Sequence, residues 1–286
     1  MKPKISSKDN VLTVKFSGIS SGWEQWFLLS ADRHHDNIHC NRQLEKEHLE
    51  EVKRREAFII DGGDLFCAMQ GKYDPRSNMD SLREEDKVER YLDSIVDHAT
   101  EFYAPYAKNF LMIGKGNHET NIIKRMGTCL ASSLARDLNK EHGGNVSVGG
   151  IGGWVRFQFV VNKTKRKSLN LKYHHGSGSG GPVTKGTIQA NRQGVYLPDA
   201  NIVMNGHTHD SWVLPIARER LSEGGVIGRD IQWFVRTPGY KDGYRDGASG
   251  WENEKWMPPK PMGAVWLRFY YERNDLIRSE CIQAVT

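Results

Sequence analysis

Five short apolar runs in this chain each stop abruptly at a cluster of carboxylate, amide or imidazole side chains. The runs are Trp26–Ser30, Ala57–Ile60, Phe110–Ile113, Ser168–His174 and Ala200–Met204. They lead, in turn, into Asp32-Arg33-His34, Gly63-Asp64, Gly116-Asn117-His118-Glu119, His174-His175-Gly176 and Gly206-His207-Thr208-His209. Apolar runs this short, bounded by turn residues, read as buried strands. Segments from Asn41 to Arg55, Asp80 to Tyr103 and about Asn121 to His142 carry helical spacing, with Leu130, Leu134 and Leu138 on one face of the last. Strands alternating with helices predict an open sheet, and in such a sheet the carboxyl ends of the strands converge on one crevice. Residues far apart in sequence can therefore meet there.

The second half is richer in strand-like segments: Trp154–Val161, Trp212–Ile216, Trp233–Thr237 and Ala264–Tyr271, with Val11–Phe16 ahead of them all. Strand–helix units followed by mostly β structure point to an α/β fold of two stacked sheets flanked by helices. At 286 residues the chain is expected to form a single domain, 1–286. Its motif-bearing core runs from about 25 to 215, and an elaborated C-terminal segment from about 216 to 286. The stretches Gly176–Pro182 and Pro238–Pro261 read as long loops.

Hydrophobic residues make up 38% and charged residues 26%, the balance of a soluble globular protein. No apolar run approaches the roughly 20 residues of a membrane span. The N-terminal MKPKISSKDN is polar where a secretion signal would be apolar, so a cytoplasmic protein is expected, in the host cell if a phage encodes it. Cys40, Cys67, Cys129 and Cys281 form no CxxC pair and read as reduced core or surface thiols. The formal charge is a mild +5, densest at Lys163, Lys165, Arg166 and Lys167, which reads as a solvated hairpin tip.

Carboxylate, imidazole and amide ligands without thiolate suit Mn²⁺, Zn²⁺, Fe or Ni²⁺ better than Ca²⁺, which prefers oxygen alone. Two such ions need an anion between them, and the carboxylate of Asp64 is the natural bridge, with Gly62 and Gly63 allowing the tight turn before it. A lone Asp-x-His or Gly-Asp is an ordinary turn; the ordered set is what makes chance implausible.

That ordered set resembles the calcineurin-like metallophosphoesterase superfamily in its phage and bacterial type: Asp-x-His, Gly-Asp, Gly-Asn-His-Glu, His and Gly-His-x-His all have their match, over about Phe27 to Asp210. The resemblance implies a four-layer αββα sandwich, two mixed β-sheets between helices, with two divalent metals at the strand ends, Mn²⁺ foremost. One metal would be held by Asp32, His34, Asp64 and His209, the other by Asp64, Asn117, His175 and His207. For the fourth motif His174 is the alternative, since neighbours on a strand face opposite ways and only one points inward. His35 is expected to be a neighbour of the site, and His39, His48, His98 and His142 ordinary surface or helix histidines. The reaction expected is in-line attack on a phosphoester by hydroxide bridging the two metals. His118 would be the catalytic acid that protonates the leaving oxygen, and Glu119 or Asp36 would orient an imidazole.

The substrate is set outside the metal site. The Ser/Thr phosphatases of the superfamily continue Gly-Asp with Val-Asp-Arg-Gly and place Arg before Gly-Asn-His-Glu; here Leu65-Phe66-Cys67 and Lys115 stand instead. Gly63-Asp64-Leu65-Phe66 is similar to the DNA-repair nuclease branch, and Met69 to Arg76 adds cationic and aromatic groups after it. Lys115, Lys185 and the Gly176–Pro182 loop are candidate phosphate contacts. Tyr240, Tyr244, Trp251 and Trp256 would close a satellite core or stack bases. The expected partner is a phosphodiester in DNA, RNA or a nucleotide, with no membrane and no protein partner indicated. A phosphomonoesterase or Ser/Thr protein phosphatase is the alternative within the class, and a non-catalytic metal-binding scaffold the alternative outside it.

Overall fold

The computed structural model describes residues 3–68, 81–163, 165–179, 181, 183–244, 256–274 and 276–286. Met69 to Arg76, Pro182 and Trp251, singled out in the sequence, lie outside them.

Two mixed sheets stack face to face. One runs in the order β1(Lys4–Lys8), β2(Val11–Ile19), β7(Gly152–Val161), β8(Lys165–His174), β9(Ile202–Asn205), β11(Ile227–Arg236), β10(Trp212–Leu221). The other runs β13(Leu276–Val285), β12(Gly263–Glu272), β3(Glu24–Ser30), β4(Phe58–Asp61), β5(Phe110–Ile113), β6(Ser147–Val148). Strands β3 to β6 are parallel, as the strand–helix alternation predicts, and so are β8, β9 and β11. Parallel strands with both faces covered need continuous apolar runs, and β5 and β9 are buried at every residue.

The facing sides of the sheets enclose one core, in which Phe16, Phe27, Phe157, Phe159 and Phe269 meet. Helices α1(Arg42–Arg54), α2(Tyr91–Tyr103), α3(Asn117–Met126) and α4(Leu130–Glu141) supply apolar side chains to the core on the outer face of the β3–β6 sheet. On the outer face of the other sheet, Ala190 of α5(Thr187–Tyr196) packs on Val203 and Phe234. The result is the expected four-layer αββα sandwich. Among the described residues, no helix is long and apolar enough to cross a membrane.

Local chemistry decides where the helices begin and end. Asn41 caps α1, its Oδ1 accepting the Leu44 N–H at 3.0 Å. The helix expected from Asp80 starts only at Tyr91: Arg83 is extended, Glu84–Asp86 form a 3-10 turn, and the buried Asp86 accepts from Ser94 Oγ at 2.8 Å. The helix expected from Asn121 to His142 is two helices, because Gly127 takes φ +70° and Cys129 is extended. Strands β1, β6 and β13 and helix α5 are additions to the sequence reading: β1 is nearly all exposed, β6 is two residues long and α5 buries only Ala190, so none of these three shows a clear apolar period. The C-terminal strands pair into both sheets, β11 with β9 and β12 with β3. Lys163 lies at the turn between β7 and β8, and the other cations of its cluster begin β8.

His48 of α1 stacks edge-on against Tyr240, its Nδ1 2.9 Å from the phenol oxygen. Burial, aided by the charge of Arg33, lowers its pKa from 6.5 to about 4. The unfolded chain takes up that proton near 6.5 and the folded chain refuses it until about 4, so stability is lost as pH falls through this interval. Allowing for part exposure, the loss is on the order of 2 kcal/mol. Urea unfolding at about pH 7 and about pH 4.5 should show a smaller acid loss in His48→Gln than in the wild type, and equal losses would refute the assignment.

Candidate metal centre

The parallel registers bring the five motif-bearing strands to one end. Ser30 pairs with Asp61, Asp61 with Ile113, and His174 with Asn205, so each strand runs out beside its neighbour. The chain beyond β3 then zips against the chain beyond β4: Asp32 N–H donates to the Gly63 carbonyl at 2.9 Å and His34 N–H to the Asp64 carbonyl at 3.1 Å. Across the crevice, Gly206 N–H donates to the His175 carbonyl at 2.8 Å. The β3–β6 sheet thus delivers Asp32, His34, Asp64, Asn117 and His118, and the facing sheet delivers His175, His207 and His209.

All eight expected residues converge, in two halves. Ligand atoms of Asp32, His34 and His209 lie within 4.8 Å of one another, and so do those of Asp64, His175 and His207. His34 Nε2 and His209 Nε2 face each other at 3.3 Å. His175 Nε2 is 3.1 Å from Asp64 Oδ2, 3.2 Å from Asn117 Oδ1 and 3.8 Å from Asp32 Oδ1. His175 is buried here, whereas His174 is exposed on the other face of β8, as strand alternation requires.

Each aspartate has one oxygen tied to backbone and one turned inward. Asp64 Oδ1 accepts the His118 N–H at 2.8 Å, at the start of α3, where the helix dipole favours an anion. Asp32 Oδ2 accepts the His207 N–H at 2.7 Å. Its Oδ1 is buried without a hydrogen-bond partner, 3.5 Å from His209 Nε2, and His34 Nδ1 is likewise unpartnered. Burial, reinforced by the nearby charge of Asp64, pushes the Asp32 pKa up to about 7. Burial lowers that of His34 well below its usual value, which keeps the imidazole neutral and its lone pair free. Against burial, Asp64 and Asp32 hold His175 up at about 10. An orphaned carboxylate oxygen, two carboxylates in one buried crevice and converging imidazole nitrogens are the donor set that divalent transition ions fit.

The turns are strained. Asp32, His34, Asp64, His207 and His209 have φ of 53°, 46°, 54°, 73° and 56°, the left-handed region that side-chain-bearing residues rarely adopt. Carboxylates brace them. Glu119, expected to orient an imidazole, instead accepts the backbone N–H groups of Asp64, Phe66 and Gly116 at 3.0, 3.0 and 2.7 Å. Asp36 accepts those of Cys67 and Ala68 and the Tyr91 hydroxyl. The His118 ring is oriented by a carbonyl: its Nδ1 donates to Cys67 O at 2.6 Å, and its Nε2 stands 3.8 Å from Asp64 Oδ2.

Three residues of the site escape sequence reading. Arg33, merely the middle of Asp-x-His, is fully buried beneath the centre, its Nε 2.7 Å from Asp61 Oδ2 and its Nη1 2.7 Å from Glu45 Oε1. His35 joins it, turned from the crevice to Glu45 Oε2 at 3.0 Å; against burial, His35 and Arg33 hold Glu45 down at about 2. Cys67 brings its sulfur within 4.8 Å of ligand atoms of His34 and His118. Arg236, ending β11, donates from Nη1 to the Gly206 carbonyl at 2.8 Å. None of the three carries a spacing signal that could have marked it. Of the aromatic set, Tyr240 is buried over Arg33, while Trp256 is 93% exposed and closes no core.

No family model and no curated protein sequence matches the chain. Among solved structures, it is similar to a putative 5'-nucleotidase from Staphylococcus aureus in complex with alpha-ketoglutarate, 13% identical with a TM-score of 0.44, covering 92% of this chain and 55% of that one. The chain thus spans about half the length of that protein. A metallophosphoesterase from Sphaerobacter thermophilus is 13% identical, TM-score 0.33, covering 91% of this chain and 89% of its own. A conserved Streptococcus pneumoniae protein described as a predicted phosphoesterase is 11% identical, TM-score 0.31, with 91% and 99% covered.

At Gly63, φ is +103° and a Cβ would stand 2.3 Å from the Gly116 nitrogen and the Lys115 carbonyl carbon, both backbone atoms that cannot swing aside. Gly63→Ala should lose at least about 2 kcal/mol of stability and most metal uptake. Unaltered urea midpoints and metal content would show that this close approach is dispensable.

Proposed function

We propose that this protein is a two-metal phosphoester hydrolase that cleaves phosphodiesters of nucleic acid or nucleotides. What carries the reading is the meeting of two carboxylate–imidazole groups, Asp32/His34/His209 and Asp64/His175/His207, with Asn117 beside the second and an unpartnered Asp32 oxygen between imidazoles. Asp32, His34, Asp64 and His209 would hold one divalent ion, and Asp64, Asn117, His175 and His207 the other, with Asp64 shared. When bound, such ions neutralise phosphoryl oxygens and lower the pKa of water, which makes hydrolysis feasible near neutrality. Mn²⁺ is the first choice for this ligand set, with Zn²⁺, Fe and Ni²⁺ as alternatives.

The protein's own groups do the rest. The backbone bonds at Asp32 Oδ2 and Asp64 Oδ1 fix both carboxylates, so the inward oxygens need no reorganisation during the reaction. The Cys67 carbonyl fixes His118 with its proton on Nδ1, leaving Nε2 toward the crevice to exchange a proton with the leaving oxygen. The N-terminus of α3 adds a dipole favourable to the phosphoryl group. Lys115 in the position of the phosphatase arginine, and Leu65-Phe66 after Asp64, support the diester reading over a Ser/Thr phosphatase.

The test is turnover of bis(p-nitrophenyl) phosphate with Mn²⁺, compared with the corresponding monoester; no turnover of either leaves only the scaffold reading. Asp64→Asn should lose both metal content and activity, and full metal occupancy in that variant would remove the bridge. His118→Asn should keep its metals but lose about 10²–10⁴-fold in turnover on alkyl esters, whose leaving groups need a proton, and much less on nitrophenyl esters. Equal activity of wild type and His118→Asn on alkyl esters, at confirmed metal content, would sink the acid assignment.

A further inference from the structure

Beside the metal centre, on the outer face of the β8–β9 sheet, a cavity of about 340 Å³ opens between the strand ends and α5. Lys172, His174, Gln189, Arg192, Tyr196 and Asn205 are among its lining residues, and no carboxylate lines it. Its other wall residues include Gly176. His174 and Gly176 flank His175 in sequence, so the cavity begins one residue, about 3.8 Å of chain, from the centre.

Among the described residues, neither Lys172 nor Arg192 has a carboxylate at ion-pair distance; Lys172 Nζ lies over the Trp154 ring, 5.2 Å from its centroid. Burial lowers the Lys172 pKa. Behind the cavity wall, Arg236 is 1% exposed, its Nε has no hydrogen-bond partner, and its Nη2 donates to the Oε1 of Gln189 at 3.3 Å. Two cations without a carboxylate at ion-pair distance, Lys172 and Arg192, line one polar recess and concentrate positive potential where an anion would sit. At the rim, Tyr196 is 64% exposed and offers a ring face for stacking.

We infer that this cavity is a subsite for single-stranded nucleic acid, taking the phosphate next to the scissile one between Lys172 and Arg192 and a neighbouring base on Tyr196. The inference rests on the phosphodiester reading of the metal centre and adds to it the substrate class, a strand of at least two phosphates in place of an isolated ester. The basic hairpin turn is the competing location for such a contact, and it lies at the far end of β8: Arg166 and His174 are eight strand residues apart, roughly 26 Å.

Fluorescence anisotropy with a labelled thymidine pentanucleotide, in EDTA at about 0.15 M salt, reads the subsite without turnover. Arg192→Glu, an exposed helix position, should raise Kd at least about tenfold, whereas Arg166→Glu, with the same change in net charge, should alter it less than about twofold because it lies beyond the screening length. Tyr196→Ala should weaken binding as well, by severalfold. Equal effects of Arg192→Glu and Arg166→Glu would mean diffuse attraction and overturn the subsite, as would an unchanged Kd in Arg192→Glu or no binding by the wild type. Hydrolysis of bis(p-nitrophenyl) phosphate, measured on the same wild-type preparation, separates the two ideas: turnover without site-specific binding refutes the subsite alone, and site-specific binding without turnover refutes the hydrolase alone.

Discussion

A fully buried arginine forms the floor on which the candidate metal centre stands. The Arg33 guanidinium joins Asp61 at the end of β4, Glu45 on α1 and Ser30 at the end of β3. Tyr240, Tyr103 and Phe110 surround it, with ring centroids 5.3, 5.7 and 5.8 Å away. A cation so placed is tolerable only with its anions in place, and removing one partner of such a network typically costs about 3–5 kcal/mol. Asp61 passes the constraint upward, because its Oδ1 accepts the Gly63 N–H at 3.0 Å and thereby shapes the turn that carries Asp64. Core charge balance and ligand placement are one network.

Above that floor, the turns hold conformations that their residues do not favour alone. Left-handed backbone at aspartate and histidine is costly, and it persists because neighbours over-determine it. Glu119 collects three backbone N–H groups from two loops, Asp36 fixes the loop after Asp64, and Arg236 holds the Gly206 carbonyl. The side chains at these turns need little further movement to meet a ligand, which is how a site on loops attains the rigidity of one on strands.

The centre also depends on two sheets at once. One sheet supplies both carboxylates and the other supplies His175, His207 and His209, so the stacking of the sheets through their shared phenylalanine core sets the distance between the two sets of ligands. The α5 cavity lies on the second sheet, so His174 and His175 divide one strand end between a polar recess and the centre.

The apolar strands, and the order in which they deliver Asp32, His34, Asp64, Asn117, His118, His207 and His209, are legible in the residue pattern alone, because strand ends in a parallel sheet must converge. That pattern also allows only one of His174 and His175 to point inward, but period-two alternation names no face without a neighbouring sheet. Tertiary structure decided that His175 is the inward one, that Gly127 splits a helix, and that α5 forms with only Ala190 to bury. It decided the roles of Arg33, Glu119 and Asp36 as well. A side chain whose partner lies from twelve to fifty-five residues away in sequence leaves no period to read; that partner exists only once the chain has folded.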